Sequence, residues 1–191
     1  MELELTRKGG RCIMPVKILK FYNISIIVLL MLSLPTFAQE VSARPANSVF
    51  QAHLWDAKNG SVAFETGKAP DGTSIGGIQA GDWVKYSGVD FGTGDCNLFM
   101  ATIALDASAA GKTFEIRIDT ADGTIIGSLA MTSTGGWTVF QEQYASITTV
   151  TGVHDVYLVF PQYPACNMNW FVFGKDPDNE TTKERDRRMA W

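Results

Sequence analysis

The chain has 191 residues, of which 46% are apolar and 11% aromatic, with 16 lysines and arginines against 20 aspartates and glutamates. The formal net charge of −4 argues against nucleic acid or an anionic membrane as a partner. A chain of this length can bury a single sizeable core, so we expect one folded domain.

The first 38 residues are typical of a secretory signal peptide. Lys17 and Lys20 precede the apolar run ISIIVLLMLSLP, and a small-residue cleavage site ends at Ala38. The run is too short for a comfortable membrane span. We therefore expect secretion or export to the periplasm, with Met14 as an alternative translation start. Removing five basic and two acidic residues leaves 11 against 18, a net charge near −7.

Residues 39–174 contain short runs of β-branched and aromatic residues separated by Gly, Asp, Asn and Pro. In chain order the predicted strands are SVFQAHLWD, GSVAFE, GDWVKYSGVDF, NLFMATIALD, KTFEIRIDT, TIIGSLAM, WTVFQEQYASI, VHDVYLVF and NMNWFVF. Phe114, Ile116 and Ile118 alternate with polar residues, which is typical of a strand with one buried face. The pattern predicts an all-β sandwich or barrel.

Residues 175–191, KDPDNETTKERDRRMAW, are almost wholly polar. We expect a solvated tail or the stub of a linker there.

No catalytic motif is present. The chain lacks G-x-S-x-G, H-E-x-x-H and a glycine-rich phosphate loop, and its two histidines, His53 and His154, have no nucleophile motif beside them. Most acids lie in turns or on the polar side of strands. We therefore predict a protein that is not an enzyme, with a glycoside hydrolase or lyase built on two carboxylates as an alternative.

Five segments in order, QAHLWDAKNGSVAFE, IGGIQAGDWVKYSGVDFG, STGGWTVF, GVHDVYLVF and NMNWFVF, resemble the family 6 carbohydrate-binding modules. The resemblance extends from Val49 to Gly174. It implies a β-sandwich, a jelly roll of two antiparallel sheets, without catalytic activity and usually attached to a glycoside hydrolase.

The resemblance also implies a sugar cleft formed by loops at one end of the sandwich. Trp137 matches the aromatic residue that stacks on a sugar ring, Asn167 an amide that bonds hydroxyls, and Glu65 an acid with a similar role. The second aromatic of the family, which would face Trp137 across the sugar ring, falls at Gly77 and is missing here; Tyr163 is a candidate substitute. An aromatic face beside an amide or carboxylate suits a sugar, because a pyranose has apolar faces and a polar rim.

A structural calcium ion is common in the family. Its side-chain ligands map to Gln51, His53 and Asn169, where no carboxylate remains. Calcium requires several oxygen ligands and gains most of its affinity from carboxylates. We therefore expect no cofactor and a degraded or absent calcium site.

Some family members carry a second sugar site on the concave face of one sheet. Trp83 and Tyr86 lie on the corresponding strand and face opposite ways; we expect Trp83 in the core and leave Tyr86 open. Trp55, Trp170 and Phe171 are further core candidates.

Cys12 is lost with the signal peptide, which leaves Cys96 and Cys166. If the cleft residues share one end of the sandwich, these two cysteines lie at opposite ends. Bridged Cα atoms are within about 7 Å of each other, so no disulfide is expected.

The sequence thus predicts a monomeric binding module for a neutral plant or algal cell-wall polysaccharide or oligosaccharide, acting beside a catalytic glycoside hydrolase domain. A protein-interaction or adhesion domain that has lost sugar binding is an alternative.

Overall fold

The computed structural model describes residues 42–176, so the predicted signal peptide and residues 177–191 of the predicted tail lie outside the described residues. The described part consists of strands, turns and loops, and contains no helix long and apolar enough to cross a membrane. Its strands are β1 (Arg44–Pro45), β2 (Phe50–Gln51), β3 (Ala57–Asn59), β4 (Ala63–Thr66), β5 (Thr73–Gly76), β6 (Asp82–Asp90), β7 (Leu98–Ala104), β8 (Thr113–Ile118), β9 (Ile125–Ala130), β10 (Gln141–Ser146), β11 (Val153–Phe160) and β12 (Asn167–Gly174).

The strands form two six-stranded sheets packed as a sandwich. Sheet I has the order β1-β6-β11-β8-β9 with β3 also paired to β6, and sheet II has the order β10-β7-β12-β5-β4 with β2 also paired to β12. All described pairs are antiparallel except β1 with β6. The predicted β-sandwich of the jelly-roll type is confirmed.

Aromatic side chains fill the space between the sheets. Phe171 of β12 is fully buried, and its ring centroid lies 5.1 Å from that of Phe50, 5.5 Å from Phe99 and 4.7 Å from Tyr86. Such stacked and edge-on contacts add to the free energy gained from burying apolar area. Tyr86 Oη donates a hydrogen bond of 2.7 Å to the carbonyl of Ala52, so its hydroxyl is paired inside the core.

The prediction that Trp83 lies in the core is wrong. β6 directs Val84 and Tyr86 inward, which places Trp83 and Lys85 on the outer face of sheet I. There the Trp83 ring meets Tyr157 of β11, with centroids 5.3 Å apart. The position left open, Tyr86, is the buried one.

Of the other three core candidates, one lies in the core and two are only half-buried. Phe171 is confirmed as a core residue, whereas Trp55 is half-buried and packs against the core from its margin. The prediction for Trp170 is wrong: β12 turns Phe171 inward, so Trp170 lies half-buried on the outer face of sheet II.

The pairing of β12 with β7 defines the two ends of the sandwich. β12 begins at Asn167 beside Ala104, the last residue of β7, and ends at Gly174 beside Leu98, the first residue of β7. At the latter end Phe173 N donates a 3.1 Å hydrogen bond to the carbonyl of Ala46, so the chain enters and leaves the described sandwich side by side.

The two cysteines lie at opposite ends of the sandwich, as expected from the sequence. Cys96 precedes β7 and Cys166 precedes β12, which puts them at opposite ends, and both thiols are free and buried. Burial raises the pKa of Cys166 to about 12 and raises that of Cys96.

Candidate functional site

The four predicted site residues meet at the loop end where β12 begins. Glu65, Trp137, Tyr163 and Asn167 line one cleft of about 200 Å³, and Gly77 lines it as well. We call this the loop-end cleft. It brings together β4, the loop before β10 and the segment before β12, which are far apart in sequence.

The loop that carries Trp137 is tied to the end of β7. Thr134 Oγ1 accepts a hydrogen bond of 2.9 Å from Leu105 N and donates one of 2.9 Å to the carbonyl of Leu105. Gly136 N adds a 3.2 Å bond to the same carbonyl. The residue after these anchors, Trp137, is therefore held in a defined position although it lies outside the strands.

The indole of Trp137 is half-buried and bonded at its edge. Its Nε1–H donates a 2.9 Å hydrogen bond to Asp106 Oδ2, so the polar edge of the ring is already paired. Asp106 in turn accepts hydrogen bonds from Ser108. The hydrogen bonds from Ser108, together with that from Trp137, lower the pKa of Asp106, so its carboxylate stays ionised to a lower pH than that of an ordinary aspartate. The sequence analysis missed Asp106.

Asp106→Ala is expected to free the Trp137 indole without unfolding the sandwich, because the carboxylate contacts the edge of the ring and is not part of the core. Exchange of the Trp137 indole proton with solvent, followed by NMR, should become about five- to tenfold faster. Asp106→Asn is the control, since its amide oxygen can still accept the bond. Equal exchange rates in wild type and Asp106→Ala would contradict a positioning role.

The side chain of Asn167 also holds the loop that carries Trp137. The side chain is buried, and its Nδ2 donates a 2.7 Å hydrogen bond to the carbonyl of Trp137. An amide also carries a second N–H and a carbonyl oxygen, and Asn167 lines the cleft.

Glu65 faces Asn167 across a space that only glycine can leave open. A Cβ on Gly76 would lie 2.5 Å from Asn167 Oδ1 and closer still to Glu65 Oε2. Lys68 Nζ is 2.8 Å from Glu65 Oε2, yet this buried oxygen has no well-aligned hydrogen bond. The ion pair thus offsets the charge while the oxygen keeps its capacity to accept a bond.

Tyr163 is the second aromatic side chain of the cleft and is 58% exposed. Gly77 has a φ of +66°, in the left-handed region that L side chains rarely adopt. An aromatic residue at position 77 would therefore strain this backbone, which is consistent with the cleft taking its second ring from elsewhere.

The predicted calcium ligands do not form a calcium site in this geometry. Asn169 Nδ2 lies 2.8 Å from Asp71 Oδ1 and 2.6 Å from the carbonyl of Thr73. Both partners are acceptors, so the amide must present its N–H groups, not its oxygen. The buried Oε1 of Gln51 and Nδ1 of His53 have no hydrogen-bond partner, and an imidazole nitrogen is a poor ligand for a hard cation.

Asp71 is the carboxylate that lies beside Asn169. Partial burial opposes ionisation of Asp71, but hydrogen bonds from Thr73 and Asn169 outweigh it and hold its pKa below the ordinary value. Among residues 42–176 no group of three or more His, Cys, Asp or Glu side chains is arranged to hold a metal ion. The donor set does not fit calcium.

We expect the melting temperature of the wild-type chain to be the same with millimolar CaCl2 and with EDTA, because the Asn169 amide already bridges the two acceptors. Asn169→Asp is the matched variant: it puts a second carboxylate beside Asp71 and should make the melting temperature rise with calcium and fall with EDTA. A wild-type melting temperature that depends on calcium would contradict this expectation.

Comparison with known proteins adds to this geometry. Residues 51–175 match the family model described as carbohydrate binding module (family 6). Endo-1,4-beta-xylanase A of Thermoclostridium stercorarium is 35% identical over 141 residues, which cover 74% of this chain and 26% of that protein. The chain spans about a quarter of the length of the curated relatives it matches in this way.

Two solved modules resemble the described fold along nearly their whole length. A module from Clostridium stercorarium in complex with cellobiose has a TM-score of 0.64 at 30% identity, covering 71% of this chain and 99% of that chain. A family 6 module from Clostridium cellulolyticum in complex with xylose has a TM-score of 0.63 at 33% identity, covering 69% of this chain and 100% of that chain.

Proposed function

The chain belongs to the family 6 carbohydrate-binding modules, and from this premise we propose that it binds a neutral cell-wall polysaccharide through the loop-end cleft. The observation that carries the proposal is the meeting of Trp137, Asn167 and Glu65 in one cleft, where Glu65 Oε2 is ion-paired with Lys68 but has no well-aligned hydrogen bond. The similar modules solved with cellobiose and xylose support a ligand built of pyranose rings.

Each group has a separate task in this proposal. A face of the Trp137 indole covers the C–H face of one sugar ring, whose burial supplies most of the free energy of binding. Asn167 offers one N–H and its carbonyl oxygen to hydroxyl groups at the rim of the ring. Glu65 Oε2 accepts a hydrogen bond from a further hydroxyl, which gives this buried oxygen the well-aligned hydrogen bond it lacks.

Tyr163 is the residue we propose as the opposing aromatic. Its exposure leaves it free to close on a ring held at Trp137, but ordering it costs conformational entropy. A cleft of about 200 Å³ also contacts few sugar units. The affinity of a single site should therefore be modest, with a Kd on the order of micromolar to millimolar.

We propose that the module is not itself catalytic. Glu65 is the one carboxylic acid among the described residues that line the cleft, whereas glycoside hydrolysis commonly uses a pair of carboxyl groups about 5–10 Å apart. Glu65 Oε2 is also ion-paired with Lys68 Nζ at 2.8 Å.

The module would act by holding a catalytic glycoside hydrolase, attached or associated, near its substrate. The xylanase relative, about four times as long as the matched region, supports such an arrangement. Tethering raises the effective concentration of the enzyme at an insoluble polysaccharide. We propose that this occurs outside the cytoplasm, by secretion or export to the periplasm, with the module monomeric.

An interaction or adhesion domain without sugar binding is the second candidate, and the observation that favours it is the lack of an aromatic at Gly77. The half-buried Trp137 in a cleft shared with Asn167 weighs against it.

Affinity electrophoresis through gels containing xylan, β-glucan, agarose or mannan tests the proposal. Wild-type protein should be retarded by at least one polysaccharide, and Gly76→Ala should migrate freely, because the added Cβ displaces Glu65 and Asn167. Gly174→Ala is the matched control: it lies at the far end of β12, and its Cβ would meet nothing within 4 Å. Free migration of the wild type in every gel would favour the interaction domain.

A further inference from the structure

The connection between β7 and β8, residues 105–112, does not line the loop-end cleft. The two aromatic residues of the cleft come from other segments of the chain: Trp137 precedes β10, and Tyr163 lies between β11 and β12. Both of these segments are nevertheless hydrogen-bonded to the β7–β8 connection or to the first residue of β8. A single stretch of chain therefore anchors both aromatic residues.

The anchors of Trp137 come from the start of the connection. Leu105 bonds Thr134 and Gly136 through its backbone N–H and carbonyl, and Asp106 accepts the hydrogen bond from the indole Nε1–H. These contacts fix the position of the Trp137 ring relative to the end of β7.

The anchors of Tyr163 come from the other end of the connection. Lys112 is half-buried, and its Nζ donates a 2.6 Å hydrogen bond to the main-chain carbonyl of Tyr163. Thr113 N donates a 3.0 Å hydrogen bond to the side-chain Oε1 of Gln162, the residue directly before Tyr163. Hydrogen bonds from a charged donor are the stronger ones, so Lys112 is the principal anchor of this segment.

These two bonds hold the main chain at Tyr163 and leave its side chain free. Tyr163 is 58% exposed, although its carbonyl is bonded. Ordering a residue costs conformational entropy for the backbone and for the side chain separately. Because Lys112 already orders the backbone in the free protein, closing on a sugar needs to order the side chain alone. Such pre-organisation strengthens binding.

The position of Tyr163 is important because the cleft has glycine at position 77. Trp137 and Tyr163 are the two aromatic residues among those described that line the cleft. Whether a sugar ring held at Trp137 is contacted on one face or on two therefore depends on Tyr163. Lys112 does not line the cleft, so an effect of this lysine on binding has to pass through the segment that it holds.

We propose that Lys112 is a positioning residue for carbohydrate binding, which holds the Tyr163 carbonyl and so keeps the tyrosine ring ready to close opposite Trp137. Asp106 has the matching task for Trp137 at the other end of the connection. Residues 105–112 thus control the affinity of the cleft without touching the sugar. The inference rests on the proposed carbohydrate-binding function.

Isothermal titration calorimetry with xylohexaose, cellohexaose, laminarihexaose and mannohexaose first identifies a sugar that the wild type binds, and the variants are titrated with that sugar. Lys112→Met keeps the apolar stem but loses the donor, so it should weaken binding about fivefold to tenfold. Lys112→Arg can still donate to the carbonyl and should bind within about twofold of the wild type. Lys85→Met is the matched control, because it removes the same charge from the outer face of sheet I and should leave the affinity unchanged.

A double-mutant cycle separates positioning from other roles. In a Tyr163→Ala background the carbonyl remains but the ring is gone, so Lys112→Met should cause no further loss of affinity. NMR relaxation of the sugar-free protein gives a second readout: the backbone amides of Gln162 and Tyr163 should become more mobile in Lys112→Met, while the indole signal of Trp137 stays in place. Gln162→Ala removes the second anchor and should weaken binding in the same direction by a smaller factor.

Three results would overturn this inference and leave the proposed function intact. The first is wild-type affinity in Lys112→Met, and the second is an equal loss of affinity with and without the Tyr163 ring. The third is unchanged mobility of the Tyr163 amide in Lys112→Met. If the wild type binds none of the four sugars, the inference and the proposed function both fail.

Discussion

Trp137→Ala is expected to abolish retardation of the chain by the polysaccharide that it binds, with affinity lowered about 30-fold or more. A central aromatic side chain typically contributes about 2 kcal/mol or more to a binding site, and each 1.4 kcal/mol corresponds to tenfold. The cleft has little to compensate, because position 77 is glycine and Tyr163 is not fixed by packing. Isothermal titration calorimetry with the oligosaccharide form of the ligand gives the magnitude.

Trp137→Phe is the control for this prediction. It keeps a flat ring but removes the Nε1–H that bonds Asp106, so most of the affinity should survive with a moderate loss. The melting temperature should change little in either variant, since Trp137 is only half-buried at the margin of the core. Wild-type affinity in Trp137→Ala would show that the sugar does not stack on this ring.

The largest effect on stability is expected for Phe171→Ala, which should lower the free energy of unfolding by about 3–5 kcal/mol. Phe171 is completely buried and its ring touches those of Phe50, Phe99 and Tyr86, which come from β2, β7 and β6. Removing the ring leaves a cavity bounded by strands that cannot collapse independently. Since a domain of this size is stable by about 5–15 kcal/mol, the variant should be close to unfolding.

Urea denaturation followed by circular dichroism measures this change. Phe64→Ala is the matched control, because Phe64 lies on β4 with 49% of its surface exposed and should cost well under 1 kcal/mol. Equal losses in the two variants would mean that the aromatic cluster around Phe171 is not the centre of the core.

Alternation of apolar and polar residues was enough to predict the strand faces where charges mark one side. β8 is the clear case, since Phe114, Ile116 and Ile118 are buried and the residues between them are not. The same information was available for Trp83: Lys85 shares its side of β6, and a lysine rarely faces a core. β12 offers no such charge, so the outward position of Trp170 was decided by packing between the sheets.

The ordered motifs, through the family that they resemble, were sufficient to predict that the four site residues share one cleft. They were not sufficient for the groups that position those residues. Asp106 follows β7, 31 residues before the indole it bonds, and nothing local to it distinguishes it from other turn acids. Gly76 matters only because Glu65 and Asn167 converge on it in space.

Strand lengths were the least predictable part. The run SVFQAHLWD was expected to form one strand, but β2 covers only Phe50–Gln51. The chain turns directly afterwards, as Leu54 N bonds the carbonyl of Gln51. Ala52 N still donates a 2.9 Å hydrogen bond to the carbonyl of Asn169 on the partner strand β12, and the pairing of this segment goes no further. Neither feature is encoded in the alternation of the segment itself.

The side-by-side entry and exit of the chain, at the end of the sandwich away from the cleft, has a mechanical consequence. A force that pulls the entering and the leaving segment of the chain apart would act between Ala46 and Phe173 and would place little stress on the sheets. A force between a polysaccharide held at the cleft and either of these two segments would instead run lengthwise along β12, from Asn167 to Gly174, over roughly 25 Å. Its ladder bonds lie across that direction, so they would be sheared together rather than opened one by one.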